Sequence, residues 1–304
     1  MRAMQLSLLP DSVPIGSTIL ELIVALPVAA ILGAIAVGLV LDTHRLAQRL
    51  QSTTEIAREL RQASAVLSAE IRPLSANDVI AWTDTSLEIH ALVGSGVICA
   101  VPSASAIDLM PLGGSDVLRA SWFATPQAGD NVWTMDSDTT LMPVPVQWTM
   151  STLHSVAPTT TSPCATRALL TRGSSVSNRP VHLTLVAAPA TPARAGSLLR
   201  ITQRTRYSLY RASDGEWYLG RRSLTASGWS TIQPVAGPLD TPGHQGLLVQ
   251  MRDSAGTAFA FGAPRTAQSM ALKLRAVSKW LRPTSKPGVV DSVLLHVALR
   301  GQSH

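Results

Sequence analysis

The chain has 304 residues, of which 46% are hydrophobic and only 14% charged, and a formal net charge of +6. That length can bury a sizeable core in one or two domains. Its two cysteines, Cys99 and Cys164, exclude a cysteine-rich scaffold and a four-cysteine zinc site.

The first predicted element is the apolar run from Ser17 to Leu41, 25 residues with one charge, Glu21. As a helix rising about 1.5 Å per residue it would be roughly 37 Å long, enough to cross a hydrocarbon core of about 30 Å. A removable secretory signal fits poorly, because its apolar part has only about 7–15 residues. An unpaired acid in lipid costs on the order of 2.5–3.5 kcal/mol, so Glu21 either snorkels from the start of the run or has a function. Pro27 frees the carbonyl of Ile23, which predicts a kink or local melting. Ala30, Ala34 and Gly38 recur every four residues as a narrow stripe. The stripe is either a close helix contact or ordinary membrane-helix composition.

Gly16, followed by Ser17-Thr18-Ile19-Leu20-Glu21-Leu22-Ile23-Val24-Ala25-Leu26, resembles the class III signal of type IV pilins and type II secretion pseudopilins. The resemblance implies that residues 1–16 are a prepilin leader. It implies cleavage after Gly16 by the prepilin peptidase, and methylation of Ser17 as the new N-terminus. Glu21 would then be the fifth residue of the mature chain and the assembly acid. It would lie at the positive end of the helix dipole, where a neighbouring subunit's amine could neutralise it. Pro27 would be the place where the helix melts as the subunit leaves the bilayer for the fibre. Two departures stand out. The first mature residue is usually phenylalanine in that family and is serine here, and the leader has only Arg2 with an offsetting Asp11.

Beyond residues 17–41, the helical pattern continues through residues 42–73. Leu46, Leu50, Ala57, Leu60, Leu67, Ile71 and Leu74 recur at spacings of threes and fours, opposite Arg49, Glu55, Arg58, Glu59, Arg61 and Glu70. This predicts an amphipathic helix to about Arg72, stopped by Pro73. Its apolar face would lie on the chain's own sheet, or alternatively in a coiled coil.

Residues 74–304 read as an antiparallel β-rich domain, so the predicted class is α+β. In "SLEIHAL", Leu87, Ile89 and Ala91 alternate with Glu88 and His90, and "VGSG" is predicted to turn the chain into "VICAV". Residues 103–180 are rich in Pro, Ser, Thr and Gly, with Trp122, Trp133 and Trp148 scattered among short strands and long loops. "VHLTLVAA" and "SLLRITQ" are predicted strands. "TRYSLYRASDGEWYLGRR" is a predicted hairpin turning at Asp214-Gly215. "GLLVQMRDSAGTAFAFG" repeats that form, and "MALKLRAVS" and "DSVLLHVAL" close the chain. The order of a long helix and then a β-rich domain, with "RYSLYR", a turn, and Asp253-Ser254-Ala255-Gly256 after an apolar strand, is similar to the minor pseudopilin J and minor pilin W group.

The net positive charge lies in the last segment. From residue 251 there are eight basic residues against Asp253 and Asp291, so residues 1–250 are close to neutral. A solvated strand face explains such a tail; an acidic partner or anionic surface is the functional alternative. No aromatic-interleaved basic motif accompanies it, so nucleic acid is not an expected partner.

Catalytic signatures are missing: there is no His-Glu-x-x-His, phosphate-cradling glycine loop or Gly-x-Ser-x-Gly. His90 and His296 have no companion ligand at a useful spacing, and Asp214 and Asp253 read as turn residues, so neither a metal nor a cofactor is expected. If the domain is periplasmic, Cys99 and Cys164 meet an oxidising compartment. A bridge would close a loop of roughly 66 residues and contribute about 4 kcal/mol, with two free buried thiols as the alternative.

The resemblance therefore implies a non-enzymatic minor pilin or pseudopilin. It would be a single-pass inner-membrane protein with a periplasmic C-terminal domain, incorporated at or near the tip of a type II secretion pseudopilus or type IV pilus. Its partners would be the prepilin peptidase, other minor and major subunits, and in some systems secreted cargo. The competing expectation is a signal-anchored periplasmic β domain that binds a ligand or performs chemistry.

Overall fold

A computed structural model of the chain describes residues 19–110, 120–137, 146–159, 162, 164, 180–258, 267–277 and 290–299. The chain forms two compact units, residues 1–52 and 53–304. One helix, α1 (Ile19–Ile71), contributes residues to both.

In the first unit, residues 22–51 of α1 are exposed throughout. Large apolar side chains there range from 50% exposed at Val28 to 67% at Leu39. The segment is long and apolar enough to cross a membrane. Its helix runs through Pro27 with no melted turn there. The proline leaves the carbonyl of Ile23 without its amide partner, but the remaining bonds hold the turn.

In the second unit, Ile56, Leu60, Ala63, Leu67 and Ile71 form a buried stripe on α1, continued by Leu74. Their spacing of four, three, four and four keeps them on one face. The expected stripe began earlier, but Leu46 and Leu50 are 58% and 60% exposed. Ile56 and Ala63 occupy positions that the sequence pattern did not single out. Helix periodicity marks a potential face, and that face is buried only where strands cover it. The helix stops at Ile71, because Pro73 disfavours helical backbone at Arg72. A single 3-10 turn, Ala76–Asp78, then leads into the sheet.

The strands follow in order: β1 (Val79–Thr83), β2 (Ser86–Ser103), β3 (Ala106–Leu109), β4 (Ser121–Trp122), β5 (Asn131–Ser137), β6 (Val146–Pro158) and β7 (Val181–Leu185). After these come β8 (Leu198–Arg211), β9 (Trp217–Thr225), β10 (Gly228–Trp229), β11 (Gln233–Leu239), β12 (Leu247–Arg252), β13 (Ser269–Val277) and β14 (Val290–Ala298). Every pairing between them is antiparallel.

The longest pairing joins β2 to β8, from Ser86↔Ser208 to Val97↔Leu198, with a register shift between Leu92 and Gly94. The "VGSG" segment is therefore not a turn, because β2 passes straight through it. Gly94 is needed there, since a Cβ would overlap the ring of Trp122, which lies against it. The bulge changes which side chains face which way. Before it, Leu87, Ile89 and Ala91 enter the core beneath α1; after it, Ile98 enters a second core.

That second core is enclosed by a ring. Strand β2 pairs with β3, β3 with β7, β7 with β6, β6 with β5, β5 with β8, and β8 again with β2. All six strands contribute to the apolar interior: Val93 and Ile98, Ile107 and Leu109, Leu183, Leu153, Val132, and Leu199 and Ile201. The region 103–180, expected to hold short strands and long excursions, thus supplies three strands, β3, β5 and β6, of a closed ring. One of them, β6, has 13 residues.

The first core lies between α1 and an open sheet made of β1, the first half of β2, the second half of β8, then β9, β11, β13, β12 and β14. The hairpin β8–β9 turns at Asp214-Gly215 as expected, with Gly215 at φ +81. Of the second expected hairpin, the described residues show the first strand and the turn. Strand β12 pairs with β13, and only a single bridge, Arg252↔Ala258, follows its turn before residues 259–266, which lie outside the described residues.

Cys99, in the ring half of β2, is bridged to Cys164 with a Cα–Cα distance of 5.6 Å. Across β3 and β7, the buried Asp108 carboxylate lies 2.6 Å from Nδ1 of His182.

The contrast between the two parts of α1 can be measured. Leu67→Ala should destabilise the β-rich unit by about 2–5 kcal/mol, the range for emptying a fully buried leucine site. Leu39→Ala should leave it unchanged. Chemical denaturation in detergent, followed by tryptophan fluorescence, reads both variants.

Candidate functional site

The N-terminal candidates separate into those the structure reaches and those it does not. Gly16 and Ser17 lie outside the described residues. Glu21 falls in the first turn of α1, and Pro27 lies within the helix.

A second constellation lies on the β-rich unit, on the face of β8 turned away from α1. Thr205 and Tyr207 point into the core under the helix, so Arg204 and Arg206 point the other way. On the core side, the buried Tyr207 lies near Glu70 of α1 and Arg221 of β9, which are 3.4 Å apart. Burial first, and then the Glu70 carboxylate, raise the phenol's pKa.

On the outer face, Arg200 holds the start of the sheet to the end of the helix. It donates from Nη2 to Asp78 Oδ1 at 2.8 Å and from Nη1 to Oδ2 at 3.2 Å. The Asp78 carboxylate is almost fully buried and also accepts from the amide and hydroxyl of Ser75, both at 2.8 Å. The Arg200 guanidinium lies between two indoles, 5.4 Å from Trp133 and 5.0 Å from Trp148. Trp133 Nε1 donates to Thr202 Oγ1 at 2.9 Å. His90 meets the edge of Trp133 at 5.6 Å, and its Nδ1 lies 3.2 Å from Asn131 Nδ2.

Asp78, His90, Trp148, Arg200 and Thr202 line one wall of an open cleft of about 380 Å³, with Pro73, Leu74, Leu92 and Leu198 on its other sides. It is an apolar cleft with a few convergent polar groups, the general form of a small-molecule site. Burial pushes the His90 imidazole below its usual value; Asp78 pulls it up, and Arg200 and Arg204 push it further down. Its neutral form is therefore the one present at pH 7, with a ring nitrogen able to accept a hydrogen bond.

Farther along the same face, Trp229 of β10 is surrounded by Arg204, Arg206 and Arg222 at 5.7, 4.8 and 5.1 Å. Glu88 of β2, almost fully buried, pairs with both Arg204 and Arg206. Among the described residues, no group of three or more His, Cys, Asp or Glu side chains could hold a metal ion.

Neither arginine–tryptophan cluster was singled out from the sequence. The available signal was the common parity of Arg200, Arg204 and Arg206 on one strand. The tryptophans come from segments far apart in the chain, and nothing local assigns them to that face. No protein-family model, curated protein or solved structure matches the chain.

Two outcomes follow from this geometry. Arg200→Ala leaves Asp78 buried without its cation and should cost about 3 kcal/mol of unfolding free energy, measured by denaturant titration. The lowered pKa of His90 means that the unfolded chain takes up a proton more readily. Stability is therefore full above pH 6.5, the ordinary imidazole value, and is lost as pH falls below it. Comparing denaturation midpoints near pH 7.5 and pH 5.5, His90→Gln should show a smaller acid loss than the parent chain; an equal loss would contradict the assignment.

Proposed function

We propose that the chain is a non-enzymatic minor pilin or pseudopilin subunit. It is cleaved after Gly16 by a prepilin peptidase, methylated at Ser17, and held in the inner membrane by residues 17–41 with its β-rich domain in the periplasm. It then enters a type II secretion pseudopilus or type IV pilus near the tip. The observation that carries this role is the continuity of α1. A single helix from Ile19 to Ile71 contains Glu21 in its first turn, leaves the apolar residues 22–41 exposed, and buries the stripe from Ile56 to Ile71 against an antiparallel β sheet. A cleavable signal would stop short of the domain. A plain anchor would have no need for Glu21 at the fifth position after a glycine. The Cys99–Cys164 bridge is also consistent with an oxidising compartment.

In this role Glu21 lies where the helix dipole and a neighbouring subunit's new amine both stabilise its charge. The exposed apolar helix is solvated by lipid before assembly and by other subunits' helices after it. The β-rich domain contacts other subunits or cargo.

One observation favours a second role, an anchored ligand-binding domain: the cleft lined by His90, Trp148 and Arg200. The two roles differ at the N-terminus. Intact mass and N-terminal sequencing of membrane-isolated protein from cells with an active prepilin peptidase should show a methylated Ser17. A chain still carrying its leader would rule out the subunit role. Glu21→Ala should leave membrane insertion unchanged and reduce incorporation into fibres by about tenfold or more, the scale of an unpaired buried charge.

A further inference from the structure

We infer that Arg204, Arg206 and Arg222, arranged around Trp229, form a docking site for the carboxylates of an acidic polypeptide. The inference rests on the β-rich domain alone and does not depend on how the chain is anchored or assembled.

The three arginines come from two neighbouring strands. Arg206 of β8 stands directly across from Arg222 of β9 in the antiparallel register. Like charges at such positions destabilise a sheet. The fold holds them together by two devices. Trp229 offers its ring to all three guanidinium groups, the farthest only 5.7 Å from the ring centre. Glu88, the cross-strand partner of Arg206 on the other side, accepts from Arg204 Nε and from Arg206 Nε at 2.7 Å. It also accepts from Arg206 Nη2.

One carboxylate against three guanidinium groups leaves an excess of two positive charges. Arg222 has no carboxylate partner among the described residues, and its Nε is buried without an acceptor. The negative charge lies underneath, with the Glu88 side chain only 3% exposed, while those of Arg204 and Arg206 are 41% and 33% exposed. The surface presented outward is therefore cationic, and the indole and the buried acid hold its geometry in place. A cluster that served only packing would be expected to match its charges.

Each guanidinium has five N–H donors in a planar fork, and Glu88 engages one from Arg204 and two from Arg206. The complementary group is a planar oxyanion that accepts in pairs, and a carboxylate has that form. Nucleic acid is the less favoured polyanion. Single strands are held by bases stacking on free aromatic faces. Here guanidinium groups already lie over Trp229, and Arg200 lies over Trp133 and Trp148.

The test uses the full chain in detergent micelles, titrated with a fluorescently labelled oligoglutamate peptide of about ten residues and followed by anisotropy. Binding should weaken as salt rises from about 50 to about 300 mM, because exposed charges are screened over that range. Arg222→Gln should weaken it roughly tenfold, as expected for losing one arm of a multivalent charge contact. Arg252→Gln, on β12, should leave it unchanged. Since Arg222→Gln removes a like-charge pair, its melting midpoint should be unchanged or raised. The proposal is overturned if the parent chain does not bind the peptide, or if Arg222→Gln binds it equally well. A lowered midpoint for that variant, which indicates a packing role, would also overturn it. So would tighter, Arg222-dependent binding of a single-stranded oligonucleotide of similar length, which would assign the site to nucleic acid.

Discussion

The pairing of β2 with β8 is the constraint on which the β-rich unit depends. Two long strands lie side by side, and the register shift at Val93 divides their partnership. On one side of the shift they present Leu87, Ile89 and Tyr207 to α1. On the other they present Ile98, Leu199 and Ile201 to the interior of a six-strand ring. A strand has only two faces and alternates strictly between them, so one extra residue is enough to reassign every later side chain. Without the bulge, one of the two cores would receive polar residues. Gly94 is the residue that makes this local geometry compatible with the ring of Trp122 packed against it.

The same pairing organises the charged groups. Arg200, Arg204 and Arg206 share the outer face of β8, and the acids that hold them, Asp78 and Glu88, are both almost fully buried. A buried carboxylate is costly to desolvate unless several donors satisfy it. Asp78 has Ser75 as well as Arg200, and Glu88 has two arginines. The indoles of Trp133, Trp148 and Trp229 complete the shells around the cations. The result is a row of guanidinium groups held by buried acids, with the side chains of Arg204 and Arg206 partly exposed. Such pre-organisation favours recognition of anions, because little side-chain freedom is left to lose on binding.

The long helix connects these features to the proposed role in a fibre. Residues 22–41 carry no polar side chain and have no core to enter within their own unit, so lipid or other apolar helices suit them as surroundings. From Ile56 onward the same helix is an ordinary amphipathic element of a globular domain. In the proposed role, the subunit would keep its folded domain while residues 22–41 exchange lipid for the helices of other subunits.

Several features were legible in the sequence because they depend on local chemistry. These are the apolar run and its length, the position of Glu21 relative to Gly16, the stop at Pro73, the turn at Asp214-Gly215, and the alternation of the late strands. Two expectations failed where the outcome is decided over distance. "VGSG" looks like a turn, but the pairing of β2 along β8 keeps the chain extended through it. Leu46 and Leu50 continue the helical pattern, but burial starts only at Ile56, where strands cover the face. The segment 103–180 was legible only as unplaced short strands among long excursions; which of its residues are strands comes from closing a ring with β2 and β8. The grouping of three arginines about Trp229, and of Arg200 between two other tryptophans, has the same origin. Periodicity and turn chemistry act within a few residues and can be read along the chain, whereas strand register and the faces it brings together exist only after segments some hundred residues apart have paired.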